Sequence, residues 1–239
     1  MKKIIIFSGA GISADSGLKT FRDNNGLWEN YNIRDVATPE AWERNPKEVL
    51  DFYNLRRKQV LNAEPNNAHK HILRLEEKFK VQIITQNIDD LHERAGSLKV
   101  LHLHGEILNS RSTVDNSHYK INGSELNIGE FCKNNKQLRP DVVWFGEEVP
   151  MLPKAQALSE QADIFIVIGT SLNVYPAASL IFCVPEEAEK FLIDPKDVRV
   201  TDIKNLKFIR EQAGTRVRKI VDLSLNPKKW NDKKKSDTF

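Results

Sequence analysis

Ile4-Ile5-Ile6-Phe7-Ser8-Gly9-Ala10-Gly11-Ile12-Ser13-Ala14 decides the fold of this chain. Four apolar residues in a row, with no polar alternation, make a strand buried on both faces, as parallel strands covered by helices are. The run ends in Gly9-Ala10-Gly11-Ile12-Ser13-Ala14, which fits G-x-G-x-x-G/A. In that pattern two glycines let the backbone turn sharply and approach a pyrophosphate, and the next helix offers its amino-terminal N–H groups. Two later segments repeat the plan: Val81-Gln82-Ile83-Ile84 runs into Thr85-Gln86-Asn87, and Ile164-Phe165-Ile166-Val167-Ile168 runs into Gly169-Thr170-Ser171. A shorter run, Phe191-Leu192-Ile193, stops at Asp194-Pro195. Between them lie helical spacings, Pro46 to Ala63 with Val49, Leu50, Phe52, Tyr53, Leu55, Val60 and Leu61, and Ala68 to Phe79 with Ile72, Leu73 and Leu75. Strand and helix alternate, so the expected class is α/β, a Rossmann-like parallel sheet with helices on both faces. Such sheets bind ligands beyond the carboxyl ends of their strands, where the Gly, Thr, Ser, Asn and Asp clusters fall here.

The rest of the chain bounds the possibilities. At 239 residues it holds one to two domains, and its 40% hydrophobic content supports a core without disulfides. A formal charge of +3 is too near neutral to imply a nucleic-acid partner. Only Cys132 and Cys183 occur, which excludes a disulfide framework and points to a reducing compartment. The apolar run after Met1-Lys2-Lys3 is too short for a leader or a membrane span, so a cytoplasmic protein with no membrane partner is expected. Residues 109–139, rich in Ser, Asn and Lys, break the α/β pattern and read as an inserted module. The expected organisation is a nucleotide-binding domain of residues 1–34, 80–108 and 140–225, a small domain of 35–79 and 109–139, and a basic flexible tail of 226–239. Nothing in the pattern sets the oligomeric state; a monomer is the expectation.

Beyond the first glycine loop come Thr20-Phe21-Arg22, Thr85-Gln86-Asn87-Ile88-Asp89, His104-Gly105, Val142-Val143-Trp144-Phe145-Gly146-Glu147 and Gly169-Thr170-Ser171. In order and spacing these motifs resemble the sirtuins, from Lys3 to about Leu223. Phe52-Tyr53-Asn54-Leu55-Arg56-Arg57 resembles the bacterial-type, class III members. The resemblance implies NAD-dependent removal of acyl groups from protein lysine, releasing nicotinamide and O-acyl-ADP-ribose. It places Gly9, Ala10, Gly11, Ser13, Thr20, Phe21, Arg22 and Trp28 at the phosphates and nicotinamide ribose. Gln86, Asn87, Ile88 and Asp89 would surround ribose and carboxamide, and Gly169, Thr170, Ser171, Asp194 and Ala213 would meet the adenosine side. His104 and Asn87 would be catalytic, and Val142, Val143, Trp144, Phe145 and Gly146 would receive an extended acyl-peptide.

Physical chemistry supports these roles independently. A ribose hydroxyl has to lose its proton during such a transfer, and imidazole, with an ordinary pKa near ~6.5, suits that task at neutral pH. His102, two residues before His104, should point elsewhere on an extended segment. Tyr53 and Arg56 are three apart on an expected helix and share a face. A phenol and a guanidinium together can grip a carboxylate, and in the resembling enzymes this pair reads succinyl- or malonyl-lysine. The same two residues on any other helix would read as a core phenol and a solvated charge.

Two departures stand out. Most sirtuins carry two cysteine pairs for a structural zinc, whereas here Ser112 stands where the first cysteine is expected and only Cys132 survives near the second pair. One thiolate, even with His118, falls two ligands short of a closed tetrahedral site, so no zinc is expected. Leu192-Ile193-Asp194 replaces an Asn-x-Glu, leaving only Asp194 to accept ribose hydroxyls. Two other functions compete: NAD hydrolysis or ADP-ribosyl transfer, in which water or a protein side chain is the acceptor, and a non-catalytic NAD-binding module.

Overall fold

In chain order the elements are β1 (Lys3–Ser8), β2 (Leu27–Trp28), β3 (Tyr31–Asn32), α1 (Ile33–Val36), α2 (Pro39–Arg44), α3 (Pro46–Asn62), α4 (Asn67–Arg74), β4 (Lys80–Thr85), α5 (Leu91–Arg94), β5 (Val100–His102), β6 (Gly105–Ser112), β7 (His118–Lys120), β8 (Leu138–Val142), α6 (Leu152–Ser159), β9 (Ile164–Ile168), β10 (Glu189–Ile193) and β11 (Leu206–Ile209). This computed structural model describes residues 1–19, 27–28, 31–195, 198, 203–211, 213, 217–218 and 221. Thr20, Phe21 and Arg22, and the side chain of Trp28, lie outside the described residues.

Six strands form one parallel sheet in the order β11-β10-β9-β1-β4-β5. The chain therefore builds outward from β1 on one side, through β4 to β5, then returns to β1's other edge and builds outward through β9, β10 and β11. That is the doubly wound order, with its direction reversing at β1. Ser8 pairs in register with both Thr85 and Ile168, so three strands end at one level. Side-chain parity covers both faces. Ile4, Ile6, Ile83, Ile166 and Ile168 meet Ala68, Ile72, Leu75, Val217 and Val221 on one side. Ile5, Phe7, Ile84, Phe165 and Val167 meet Ala155, Leu180 and Ile181 on the other.

Local chemistry sets the helix ends. Thr38 caps α2 by accepting from the Ala41 N–H at 3.1 Å, and Pro39 fills the first turn. Asn45 caps α3 in the same way, accepting from Glu48 with Pro46 behind it. Asn66 caps α4, and its amide also donates to Ile12 O at 2.7 Å, fastening that helix to the glycine loop. Several boundaries differ from expectation. The helix expected over Ala68 to Phe79 is α4 followed by a 3-10 turn, Leu75–Glu77. Because α4 buries Ala68 and Ile72 against the sheet, it belongs to the nucleotide-binding layer and not to the small domain, so the expected limit at 79 is corrected to before this helix. The antiparallel sheet β7-β6-β8 runs from Gly105 to Val142, beyond both limits of the expected 109–139 module.

That module has a core of its own, Leu50, Ile121, Leu126, Cys132 and Leu138, of which Leu50 comes from α3. Ser112 Oγ donates to Cys132 Sγ at 3.4 Å, and Asn134 Nδ2 donates to Asp115 Oδ2 at 2.9 Å, so hydrogen bonds join the two turns of the ribbon. Arg57 ties it to α3. Its guanidinium is 0% exposed and donates to Ile107 O at 2.7 Å, to Asn54 Oδ1 at 2.7 Å and to Ser124 O at 3.0 Å, while Asn54 brackets Leu126 from both its N–H and its C=O. Burial brings the Arg57 pKa down to about 10, which still leaves it charged at neutral pH. Replacing Arg57 strands buried carbonyls at about 1–3 kcal/mol each. Arg57→Met is therefore expected to lower unfolding free energy by roughly 2–4 kcal/mol in urea titration, and a loss below ~0.5 kcal/mol would contradict the role given to it here.

Candidate functional site

The three strand ends that share one level meet backbone to backbone. Gly9 N–H donates to Ile168 O at 3.0 Å, Gly11 N–H to Gly169 O at 2.8 Å, and Gln86 N–H to Ser8 O at 2.9 Å. A Cβ on Gly11 would lie 2.7 Å from Gly169 Cα, and one on Gly169, which sits at φ +64°, would collide with Ile12 N. The glycines thus serve first to let two loops touch, where the sequence pattern had reserved them for close approach of a pyrophosphate. The expected helix after the motif is replaced by two 3-10 turns, Ala10–Ile12 and Ala14–Ser16, closed by Gly17 at φ 86°. Among the described residues the N–H groups of Ala10, Thr170 and Ser171 meet no acceptor, which leaves donors to spare on the β1 and β9 loops.

Beneath these loops runs a closed circuit of buried polar groups. Asn87 Nδ2 donates to Ser13 Oγ at 3.0 Å, and Ser13 Oγ donates to Asp89 Oδ2 at 3.0 Å. Asp89 Oδ1 accepts from the Leu91 N–H at 3.2 Å, and the next residue, His92, meets Ser8 Oγ through Nε2 at 3.0 Å. Ser8 Oγ donates to Thr85 Oγ1 at 2.9 Å, which also accepts from the Asn87 N–H at 3.0 Å. Since Ser8 spends its one proton on Thr85, His92 must donate through Nε2. Burial raises the Asp89 carboxyl pKa, opposed by the bonds from Leu91 and Ser13. Gln86 reaches across the gap, donating to Thr170 Oγ1 at 3.1 Å.

His104 is tied to the same loop through Gln86. Its Nδ1 lies 3.0 Å from Gln86 O, and because a carbonyl can only accept, Nδ1 carries the proton and Nε2 the lone pair. Nε2 has no hydrogen-bond partner among the described residues. Burial pulls the ring below its ordinary pKa, partly offset by the Gln86 bond, so it is neutral at pH 7. His102 turns away, as alternation requires, with Nδ1 2.9 Å from Asn87 O and Nε2 2.8 Å from Glu93. Burial lowers His102, but the Glu93 carboxylate outweighs it and the net shift is upward.

On the other expected surface the structure redraws the assignments. The strand ends at Val142, so Val143 to Gly146 is not the extended strand read from sequence. Two of its N–H groups are already used, Val143 on His104 O at 2.9 Å and Phe145 on Ala37 O at 3.0 Å. Trp144 is only 2% exposed and turned inward, while Phe145 is 47% exposed and Gly146 is exposed. Tyr53 and Arg56 do share a face of α3, at 0% and 6% exposure, so the solvated-charge alternative for Arg56 fails. Asp194 and Ala213 are buried, Asp194 N–H bonding Ile209 O at 3.3 Å, and Ile88 is half-buried against the α3 core.

A doubly wound sheet with amide, carboxylate and imidazole groups gathered at its switch point defines a dinucleotide-binding α/β protein. A family model described as the Sir2 family matches residues 9–176, and the chain belongs to that family. It is 53% identical over 213 residues to an NAD-dependent protein deacylase of Helicobacter pylori, covering 89% of this chain and 93% of the relative. It is 47% identical over 229 residues to an NAD-dependent protein deacylase of Bacteroides thetaiotaomicron, covering 93% and 98%. A solved Sir2 homologue in complex with NAD matches with a TM-score of 0.86 at 38% identity, over 95% of this chain and 90% of that one.

Sequence reasoning missed Ser8, Thr85, His92 and His69, since nothing local marks a buried polar contact formed by residues far apart in the chain. His69 stacks edge-on against His92, ring centroids 4.9 Å apart, and neither of its nitrogens has a hydrogen-bond partner among the described residues. Burial pushes His69 down to about 4 and His92 well below 6.5. Both are neutral when folded, and the unfolded chain takes up a proton at each below pH ~6.5, so their contribution is lost as pH falls from there toward 4. The stability gap between wild type and His69→Phe is expected to shift against wild type by up to ~1.4 kcal/mol per pH unit across that window. A gap independent of pH in urea titrations would show that His69 takes up its proton as readily in the fold as in the unfolded chain.

Proposed function

We propose that this chain removes acyl groups from protein lysine at the expense of NAD. The observation that carries the reading is His104, neutral, with its tautomer fixed by the carbonyl of Gln86, the residue before Asn87, and its Nε2 lone pair without a partner among the described residues. The chain also fits the cofactor: the spare N–H donors on the β1 and β9 loops suit a pyrophosphate, and the amides and carboxylate of Gln86, Asn87 and Asp89 suit ribose and carboxamide. NAD, when bound, supplies a ribosyl carbon joined to a good leaving group. The protein's part is to hold that carbon against the acyl oxygen in a dry cleft, with Asn87 fixed at both its backbone and its side chain. His104 then holds the proton removed from a ribose hydroxyl at Nε2.

The acyl scope rests on Tyr53 and Arg56. A buried phenol and guanidinium on one helix face favour a carboxylate at the end of the acyl chain, so succinyl and malonyl groups are read alongside acetyl. The exposed Phe145-Gly146 turn supports contact with the peptide around the lysine. Mass-spectrometric turnover of one peptide carrying acetyl-, succinyl- or unmodified lysine, with and without NAD, tests the whole reading. Expected are O-acyl-ADP-ribose from both acylated peptides, a loss of about 10²–10⁴-fold in kcat for His104→Ala, and an acid limb of the wild-type rate displaced to the acid side of the ordinary imidazole pKa of ~6.5, because burial lowers that of His104. Nicotinamide released equally with unmodified peptide would make the enzyme an NAD hydrolase or ADP-ribosyl transferase instead.

We read the small module as folding without zinc. The Ser112–Cys132 and Asp115–Asn134 bonds support this, and no group of three or more metal-ligating side chains occurs among the described residues. Dialysis against a strong chelator is expected to leave both the melting curve and the turnover unchanged, and one tightly held zinc per chain by metal analysis would defeat the reading.

A further inference from the structure

Trp144 is constrained on every side by groups that the reaction itself does not use. Its backbone N–H donates to Glu147 Oε2 at 2.7 Å. The guanidinium of Arg139 lies over its ring, 3.2 Å from the centroid, and Trp42 lies 5.8 Å away. Arg139 is in turn held by both oxygens of Glu147, at 2.6 and 3.0 Å, and Arg111 grips the same carboxylate at 3.2 and 3.1 Å. Burial raises the Glu147 carboxyl but the bonds from Arg139 and Trp144 outweigh it, so the carboxylate is charged and the clamp is permanent at neutral pH. The one edge left, the indole Nε1–H, donates to Tyr53 Oη at 3.1 Å.

We propose that Trp144, fixed by Arg139 and Glu147, is the positioning residue that aims the Tyr53 hydroxyl and thereby sets discrimination between acidic and neutral acyl-lysines. The inference rests on the acidic-acyl reading of Tyr53 and Arg56 above. A phenol oxygen that accepts from an indole N–H must direct its own proton elsewhere, so Trp144 makes Tyr53 a donor to an incoming carboxylate. A cation stacked on the indole face polarises the ring and strengthens its N–H as a donor. Burial keeps the phenol above its ordinary pKa, hence neutral and able to donate, with the Trp144 bond as the main opposing influence. An acetyl group has no carboxylate and gains nothing from the arrangement. With 2% of its surface exposed, Trp144 acts in this proposal through Tyr53 and not by touching the peptide.

Steady-state kinetics on acetyl- and succinyl-lysine peptides, for wild type, Trp144→Phe, Tyr53→Phe, the double variant and Arg56→Met, tests this. Losing one donor to a charged group is worth about tenfold, so Trp144→Phe should raise KM for the succinyl peptide about tenfold while its acetyl kcat and KM stay within about twofold of wild type. The double variant should be no worse than Tyr53→Phe, because one chain of bonds is broken in either case. Equal losses on both peptides, or additive losses in the double variant, overturn the assignment. Succinyl turnover abolished by Arg56→Met but spared by Trp144→Phe overturns it alone, whereas succinyl turnover that Arg56→Met leaves untouched removes the acidic-acyl reading beneath it. Should Trp144→Phe fail to fold, a benzothiophene analogue incorporated at position 144 keeps the ring's shape and stack and removes only the N–H, and the same KM split is expected.

Discussion

Two loops touch without side chains between them, and the rest of the site depends on that contact. The Gly9–Gly11 turn lies directly on Gly169-Thr170, too close for a Cβ on any of the three glycines. Such proximity draws β1 and β9 to a common end and puts the residues that follow each strand within reach of one another. Packing at this density transmits a small displacement as a whole. A methyl group at Gly11 would not locally crowd a ligand; it would pry apart the two halves of the sheet's switch point.

The polar circuit under the loops is the electrostatic counterpart of that steric constraint. Ser8, Ser13, Thr85, Asn87, Asp89 and His92 are all buried and each makes at least one hydrogen bond within the group or to its backbone, although His92 Nδ1 has no partner among the described residues. In a low-dielectric interior such bonds rigidify the groups that make them. Asn87 is held at two atoms and His104 at one, so both reach their working geometry before any ligand arrives. Preorganised dipoles of this kind need no rearrangement at the moment of reaction. A second, charged assembly, Glu147 with Arg111 and Arg139, does the same for Trp144 and, through its indole N–H, for Tyr53.

Legibility in the sequence followed range. Runs such as Ile4 to Phe7 and Ile164 to Ile168 announced buried parallel strands because the signal lies within neighbouring residues. Asn87, Asp89 and His104 were readable because they stand in contiguous motifs. Arg57 closes the Phe52-to-Arg57 motif, yet nothing local gave it a role, since its partners Ile107 and Ser124 are 50 and 67 residues away. The ribbon carried no period, because its strands are short and its turns are held by single side-chain bonds such as Ser112 to Cys132. The Trp144 contact was hidden for a related reason: an aromatic residue in such a segment does not show that its N–H will meet Tyr53, 91 residues away in the chain. Helix α4 was assigned to the wrong layer because amphipathic spacing shows that a face is buried, not against what.

The place of β1 in the sheet also governs when the site can exist during synthesis. Lys3 N–H reaches Asp163, 160 residues later, and β1's second edge is filled only by β9. At about 5–20 residues per second, some 160 residues take roughly 8–30 s to emerge, so for that time at least one edge of β1, with its run of four apolar residues, is unpaired. Nothing on the ribosome-bound chain can close the nucleotide loop until Gly169 arrives to meet Gly11. Of the strands flanked on both sides, β1 thus waits longest for its second neighbour, and its exposure to other chains is set by the speed of translation.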